Sequence, residues 1–286
     1  MAEIIQTNSK SFHHPLLSPI KSAFTLECEI LHHLLQAQLL LCDWQFLASL
    51  IQLQQANTRL QSWATLAVLH DLEKIKKSSK SNQKNSSIPA LFLWLQRFKG
   101  LLVSKFSLYF YEILSRQTQG DIKMFTAKAT EDFVGRLQAF QKKYDSTNIY
   151  MILDTNGQRE IYKGPGYHHP DKYIEVPKGK DTYPFILSLP QEKPAENIHA
   201  GILMMLNDRD MSEQVSNGQE KVKCVYDKSN QRTFYICRLE HRISMVILFD
   251  TKKSVRDSNV NNFLLDLSSQ LKCHKVIASL KPGVKT

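Results

Sequence analysis

The first half of the chain is written in helical periods, the second in short alternating runs. Near Ser18-Pro19, where proline suits a first helical turn, Phe24, Cys28, Leu31 and Leu35 make one apolar stripe. Leu26, Ile30, Leu34 and Leu41 widen it, and a stripe that wide predicts a helix with neighbours on more than one side, as in a bundle. The apolar series resumes through Trp44, Phe46, Leu47, Leu50 and Leu53, then Leu60, Trp63, Leu66 and Leu69, with one break that the pattern does not place. Lys74 to Ser87 holds five lysines, five serines and two asparagines, and reads as a solvated linker at about 74–88 between antiparallel helices. A third long helix follows Pro89. Arg97, Lys99 and Lys105 interrupt its apolar run and Glu112 follows, so it predicts a buried bundle helix with charges on one edge, not a transmembrane span.

Past this point the period changes. Phe133, Leu137 and Phe140 mark a further helix within Phe125 to Tyr144, and Asn148 to Asp154 reads as a buried strand. Asn156-Gly157 is a two-residue hairpin signal, with Arg159 to Lys163 as the returning strand. Lys163 to Pro194 contains six prolines and three glycines and is irregular, apart from a short extended run over Phe185 to Leu189. Ile202 to Leu206 is read as a strand. Lys221 to Tyr226, Thr233 to Leu239 and Ile243 to Phe249 predict an antiparallel meander. Within the last of these, Ile243, Met245, Ile247 and Phe249 are expected on one face, with Val246 and Leu248 covered on the other. Asp257 to Lys272 closes the pattern as an amphipathic helix with Phe263, Leu264, Leu267 and Leu271 on one face. The class is α+β: a helical bundle domain over residues 1–120, then an α/β domain with a mainly antiparallel sheet over 121–286, the break falling between Gln119 and Tyr144.

Composition narrows the function classes. The net charge is +10, unevenly shared: residues 1–143 carry +7 and residues 144–286 carry +3. Five cysteines without a close pair argue against a secreted disulfide framework, and the opening residues lack the basic and apolar regions of a signal peptide. A cytoplasmic setting is therefore expected. The basic linker lacks arginine and interleaved aromatics, so no nucleic-acid partner is expected. There is no phosphate-cradling Gly-x-x-x-x-Gly-Lys motif and no Gly-x-Ser-x-Gly elbow.

The residues that invite chemistry are histidines. Glu29-x-x-His32-His33 places a carboxylate and two imidazoles about a turn apart, and Glu196-x-x-His199 repeats the spacing. A carboxylate-bridged dimetal site needs two such motifs on facing helices with two more acids, and that set is not complete here. Phe12-His13-His14-Pro15 and Tyr167-His168-His169-Pro170 form a matched pair of aromatic-His-His-Pro tetrapeptides. Adjacent histidines diverge, so Phe12, His13, His14, Tyr167, His168 and His169 are read as loop interaction residues. No catalytic, cofactor-binding or metal-ligating residue is assigned. The alternative reading is a metal-dependent enzyme built on the histidine pairs.

Longer strings add a resemblance. Phe12-His-His-Pro-Leu-Leu-Ser-Pro19, His32-His-Leu-Leu-Gln-Ala-Gln38, Leu91-Phe-Leu-Trp-Leu95 and Phe110-Tyr-Glu-Ile-Leu-Ser-Arg-Gln117 are similar to the KICSTOR subunit 2 family. So are Gly166-Tyr-His-His-Pro170, Lys252-Lys-Ser-Val-Arg-Asp-Ser258 and Ala278-Ser-Leu-Lys-Pro-Gly283, and together these run from about Ser11 to Lys285. The resemblance implies a non-enzymatic scaffold whose second domain is roadblock/longin-like. Its partners would be kaptin, an FG-GAP repeat subunit and a large scaffold subunit. Through them it would recruit GATOR complex 1 to the lysosomal membrane surface and hold TOR complex 1 off under amino acid or glucose starvation. It also implies that an N-terminal helical region carried by the family is missing from this chain. Helices that have lost neighbours should expose apolar surface, and Leu26, Ile30, Leu34, Leu41, Leu101, Leu108 and Tyr109 are the expected positions, with self-association of the isolated chain as the consequence.

Overall fold

A computed structural model describes residues 14–77 (side chains to 65), 89–116, 129–158, 161–164, 173–192, 194–207 and 221–280, with single positions at 3, 7, 120, 124, 169 and 171. The chain divides into two compact units, Met1–Val103 and Ser104–Thr286.

In the first unit a 3-10 turn, Pro15–Leu17, leads into α1, Ser18–Cys42, and α2, Phe46–Lys77. The break left open by the sequence falls at residues 43–45. Trp44 adopts a left-handed φ of 60°, and the Asp43 and Gln45 amides donate back to the Leu39 and Leu40 carbonyls, closing the end of α1. α1 packs on α2 through Ile30, Leu34, Ala37 and Leu41, all fully buried. The expectation that Ile30, Leu34, Leu41, Leu101, Leu108 and Tyr109 stand exposed is therefore wrong; only Leu26 stays half-covered. Of the two stripes on α1, this one forms the helix contact, and the stripe containing Leu35 remains the more open.

α3, Ala90–Tyr109, begins in the first unit and ends in the second. Nearly every side chain from Phe98 to Phe110 is buried, as expected of a helix apolar all round. The charges do not share one edge: Arg97 is exposed, Lys99 donates to Asn57 Oδ1 at 3.0 Å, and Lys105 is fully buried. Among the described residues, no helix is long and apolar enough to cross a membrane.

The second unit runs through α4 (Tyr111–Arg116), α5 (Phe133–Tyr144), β1 (Asn148–Leu153), a 3-10 turn (Gly179–Thr182), β2 (Phe185–Leu189) and α6 (Glu196–Leu206). It finishes with β3 (Val222–Asp227), β4 (Arg232–Arg238), β5 (Ile243–Phe249), α7 (Ser258–Leu271) and α8 (His274–Ala278). The five strands form one antiparallel sheet in the order β2-β1-β5-β4-β3, so the expected α+β class and the meander both stand. All seven residues of β5 are buried, those of both faces included, as a central strand requires.

Two expectations fail. Ile202 to Leu206 is not a strand but the last turns of α6; a five-residue apolar run has no period of its own, and the polar start at Glu196-Asn197 makes it part of a longer helix. Asn156-Gly157 does turn, with Gly157 at φ 66°, yet the strand beside β1 is β2 and not 159–163: residues 161–164 form no strand, and 159–160 lie outside the described residues. The turn is fixed instead by Arg242, whose guanidinium donates to the Asn156 and Gly157 carbonyls at 2.5 and 2.7 Å.

α6 covers one face of the sheet, where Ile202 packs with Tyr150, Ile152, Phe234, Ile236, Val246 and Leu248. The alternate set, including Ile149, Met151, Tyr235, Met245 and Ile247, is buried on the other face, where α5 and α7 lie. Asp132 caps α5 by accepting from the Gly135 amide at 2.9 Å, and Asp257 caps α7 by accepting from Asn259 at 3.0 Å. Between these helices Phe140 stacks on Phe263 with centroids 4.1 Å apart. Arg136 donates to both Asp266 and Gln270 there.

Candidate interaction surfaces

The matched histidine motifs fold locally in the same way. In each, the second histidine precedes a proline and turns its Nδ1 toward the amide two residues on: His14 accepts from Leu16 at 3.2 Å, His169 from Asp171 at 3.3 Å. Proline has no N–H, so the imidazole serves the next amide, as an Asn or Asp side chain would in a turn. Both rings are exposed. Phe12, His13, Tyr167 and His168 lie outside the described residues.

The histidines of α1 have structural partners. His33 Nδ1 meets Gln52 Oε1 at 2.7 Å and Glu29 receives Arg59 Nε at 2.7 Å, both across to α2, while the His32 and His33 rings meet edge on at 5.8 Å. Among the described residues, no group of three or more His, Cys, Asp or Glu side chains is placed to hold a metal ion.

Apolar residues that face solvent gather in two places. On the helical hairpin, Leu35 and Leu39 near the end of α1 and Leu47 and Ile51 near the start of α2 are exposed, Leu39 by 59%. In the second unit, β3 is an edge strand that pairs with β4 alone among the described strands. Beside it runs a groove of about 280 Å³ lined by Ile198, Gly201, Met204, Met205, Val225 and Phe234. Met204 is 77% exposed there. A Cβ on Gly201 would meet nothing within 4 Å, so the groove floor has room for a partner's atoms. Sequence reasoning missed this groove because it read α6 as a strand. The signal was present in the spacing of Ile198, Ile202 and Met205, which is helical.

A buried polar centre was missed as well. Lys105 Nζ donates to Glu240 Oε1 at 2.5 Å, with the two side chains 0% and 7% exposed. The Tyr109 hydroxyl donates to the other carboxylate oxygen. Two residues one helical turn apart on α3 thus grip both oxygens of a carboxylate in the turn between β4 and β5. Beside it, Ser268 Oγ of α7 donates to the Leu239 carbonyl at 3.2 Å. A buried charge pair arranged so holds one geometry; it is not a reactive group, since each atom is already engaged.

The family described as KICSTOR complex C12orf66 like matches residues 1–285. KICSTOR subunit 2 of Xenopus laevis is 44% identical over 287 aligned positions, and that of Danio rerio 38% over 288. Each alignment takes in 99% of this chain, which spans 62% of the relative's own length.

Proposed function

Because the chain belongs to the KICSTOR complex C12orf66-like family, we propose that it works as a non-enzymatic scaffold subunit of a KICSTOR-like complex. The family match across residues 1–285 carries this reading. The surfaces agree with it. An edge strand beside an apolar groove and a leucine-rich helical tip are features that dock protein partners. The element order α5-β1-β2-α6-β3-β4-β5-α7, around a sheet ordered 2-1-5-4-3, supports a roadblock/longin-like reading of the second unit. On this reading the partners are kaptin, the FG-GAP repeat subunit and the large scaffold subunit. Through them GATOR complex 1 is brought to the lysosomal surface and TOR complex 1 is restrained when amino acids or glucose run short.

Affinity purification of the tagged chain from its own cells, followed by mass spectrometry, tests the first step: the other KICSTOR subunits should be recovered in near-equal amounts. Imaging of GATOR complex 1 in cells deprived of the chain tests the second, with loss from lysosomes and persistent TOR complex 1 signalling on starvation expected. Recovery of KICSTOR subunits with unchanged lysosomal GATOR complex 1 would keep the complex and discard the recruiting role.

A further inference from the structure

The free side of β3 is a row of backbone donors and acceptors, and among the described strands only β4 lies beside it. Such an edge is a template for another strand, and charged side chains are the usual device that blunts it. On β3 the charges are placed so that they do not repel a copy of the same strand. The register with β4 sets Lys223 across from Ile236, Val225 across from Phe234 and Asp227 across from Arg232. Those three residues therefore share the face of the sheet that α6 covers. Lys223 and Asp227 stand two residues either side of Val225, with opposite signs.

An antiparallel pairing about a twofold axis at Val225 would set Lys223 of each copy across from Asp227 of the other. Opposite charges directly across a strand pair stabilise it and like charges destabilise it. Hydrogen bonds from the Asn230 side chain, then the Ser229 amide, hold the Asp227 carboxyl below its ordinary value, so it is ionised near neutral pH. On the other face, Cys224 would meet Tyr226. A slip of one residue sets Lys228 against Lys221 or Lys223 and turns the two α6 helices to opposite faces. The charge pattern thus favours one partner and disfavours the neighbouring registers. The apolar surface agrees with it. Asn197, Gly201 and Met204 follow one side of α6 at helical spacing and line the groove next to Val225, with Met204 77% exposed.

We propose that β3 pairs antiparallel with β3 of a second copy of this chain, Val225 across from Val225, joining the two sheets and bringing Met204 of each copy to the groove of the other. A contact of this kind uses the same patch on both copies and closes as a dimer. It goes beyond the scaffold role, and either can fail without the other. Sedimentation of the purified full chain at tens of micromolar should show a dimer. Lys223→Glu sets carboxylate against carboxylate at both ends of the pairing, and Asp227→Lys sets ammonium against ammonium. Each variant alone should raise the dissociation constant roughly tenfold or more. Mixing the two restores opposite charges at both ends, so the mixture should return to a dimer holding one copy of each. Residues directly across an antiparallel pair have Cα atoms about 4.5–5.5 Å apart, within reach of a disulfide. Val225→Cys in a Cys224→Ser background should therefore link two copies on mild oxidation, which checks the register even where Asp227→Lys fails to fold. A wild-type chain that stays monomeric overturns the proposal. So does a dimer that Lys223→Glu leaves unchanged, or one that Val225→Cys does not link.

Discussion

Lys105 shows how far a single side chain can be misjudged from its neighbours in sequence. On a helical pattern it is one more cation on an apolar helix, and nothing local says that its partner is 135 residues away. Removing one member of a buried pair strands the other, which costs about 3–5 kcal/mol, whereas replacing both by apolar groups is often close to neutral. Lys105→Met should therefore lower the chemical-unfolding midpoint sharply, and Lys105→Met with Glu240→Leu should recover most of the loss. Strictly additive losses would show that the pair does not act as one unit. Asp266 offers a second residue-scale test. Burial raises its pKa, but hydrogen bonds from Lys275, Arg136 and Gln270 outweigh that, and the carboxyl ends below its ordinary value. A depressed carboxyl adds stability above the unfolded-state value of about 3.9, and that contribution is lost as pH falls through the lower folded value. Asp266→Asn should thus lie below the wild type near neutral pH, and the gap should close as the pH is taken down past the unfolded-state value of about 3.9 and through the lower folded one. A gap that stays constant would remove the carboxylate from the account.

Two glycines in helices make opposite predictions at the scale of the element. Gly201 sits inside α6 with open space around its missing Cβ, so Gly201→Ala should stabilise by about 0.5–1 kcal/mol in a thermal melt. In α5, a Cβ on Gly135 would lie 2.3 Å from Asp132 Oδ2, the carboxylate that caps the helix. Gly135→Ala should displace that cap and destabilise by about 0.5–2 kcal/mol. A stabilised Gly135→Ala would mean that the cap contributes nothing. The same helices show what was legible in the sequence. α1, α2, α3, α5 and α7 announced themselves by spacing, and β3, β4 and β5 by runs of β-branched and aromatic residues between turns. α6 did not, because the unbroken apolar run Ile202-Leu203-Met204-Met205-Leu206 carries no period by itself, although only Ile202 of it is fully buried, and the helical spacing shows only when Ile198 is read with it. The partner of β1 was hidden for another reason. A hairpin signal specifies a turn but not what lies beside the strand, and β2 arrives only after a proline-rich connection of about 30 residues. The histidine motifs were legible as a pair; their turn-capping geometry was not, since it depends on ring orientation.

For the whole molecule, the sequence proposes a division at residue 120, whereas the compact units meet between Val103 and Ser104. The difference matters for any fragment of the α/β half. A chain covering 104–286 retains Lys105 and Tyr109; one covering 121–286 omits both and leaves the Glu240 carboxylate buried without them. The longer fragment should melt cooperatively with dispersed amide resonances. The shorter should be less stable by about 3 kcal/mol or more, or fail to fold. Equal stability of the two would show that the last turns of α3 are dispensable to the sheet. The separation of Lys105 from Glu240 also sets a clock during synthesis. At about 5–20 residues per second, roughly 7–27 s pass between the ribosome adding the lysine and adding the carboxylate that is to meet it. For that interval the stretch around Phe106, Leu108 and Phe110 has no finished sheet to join. In the growing chain, these aromatic turns are the natural handhold for a chaperone.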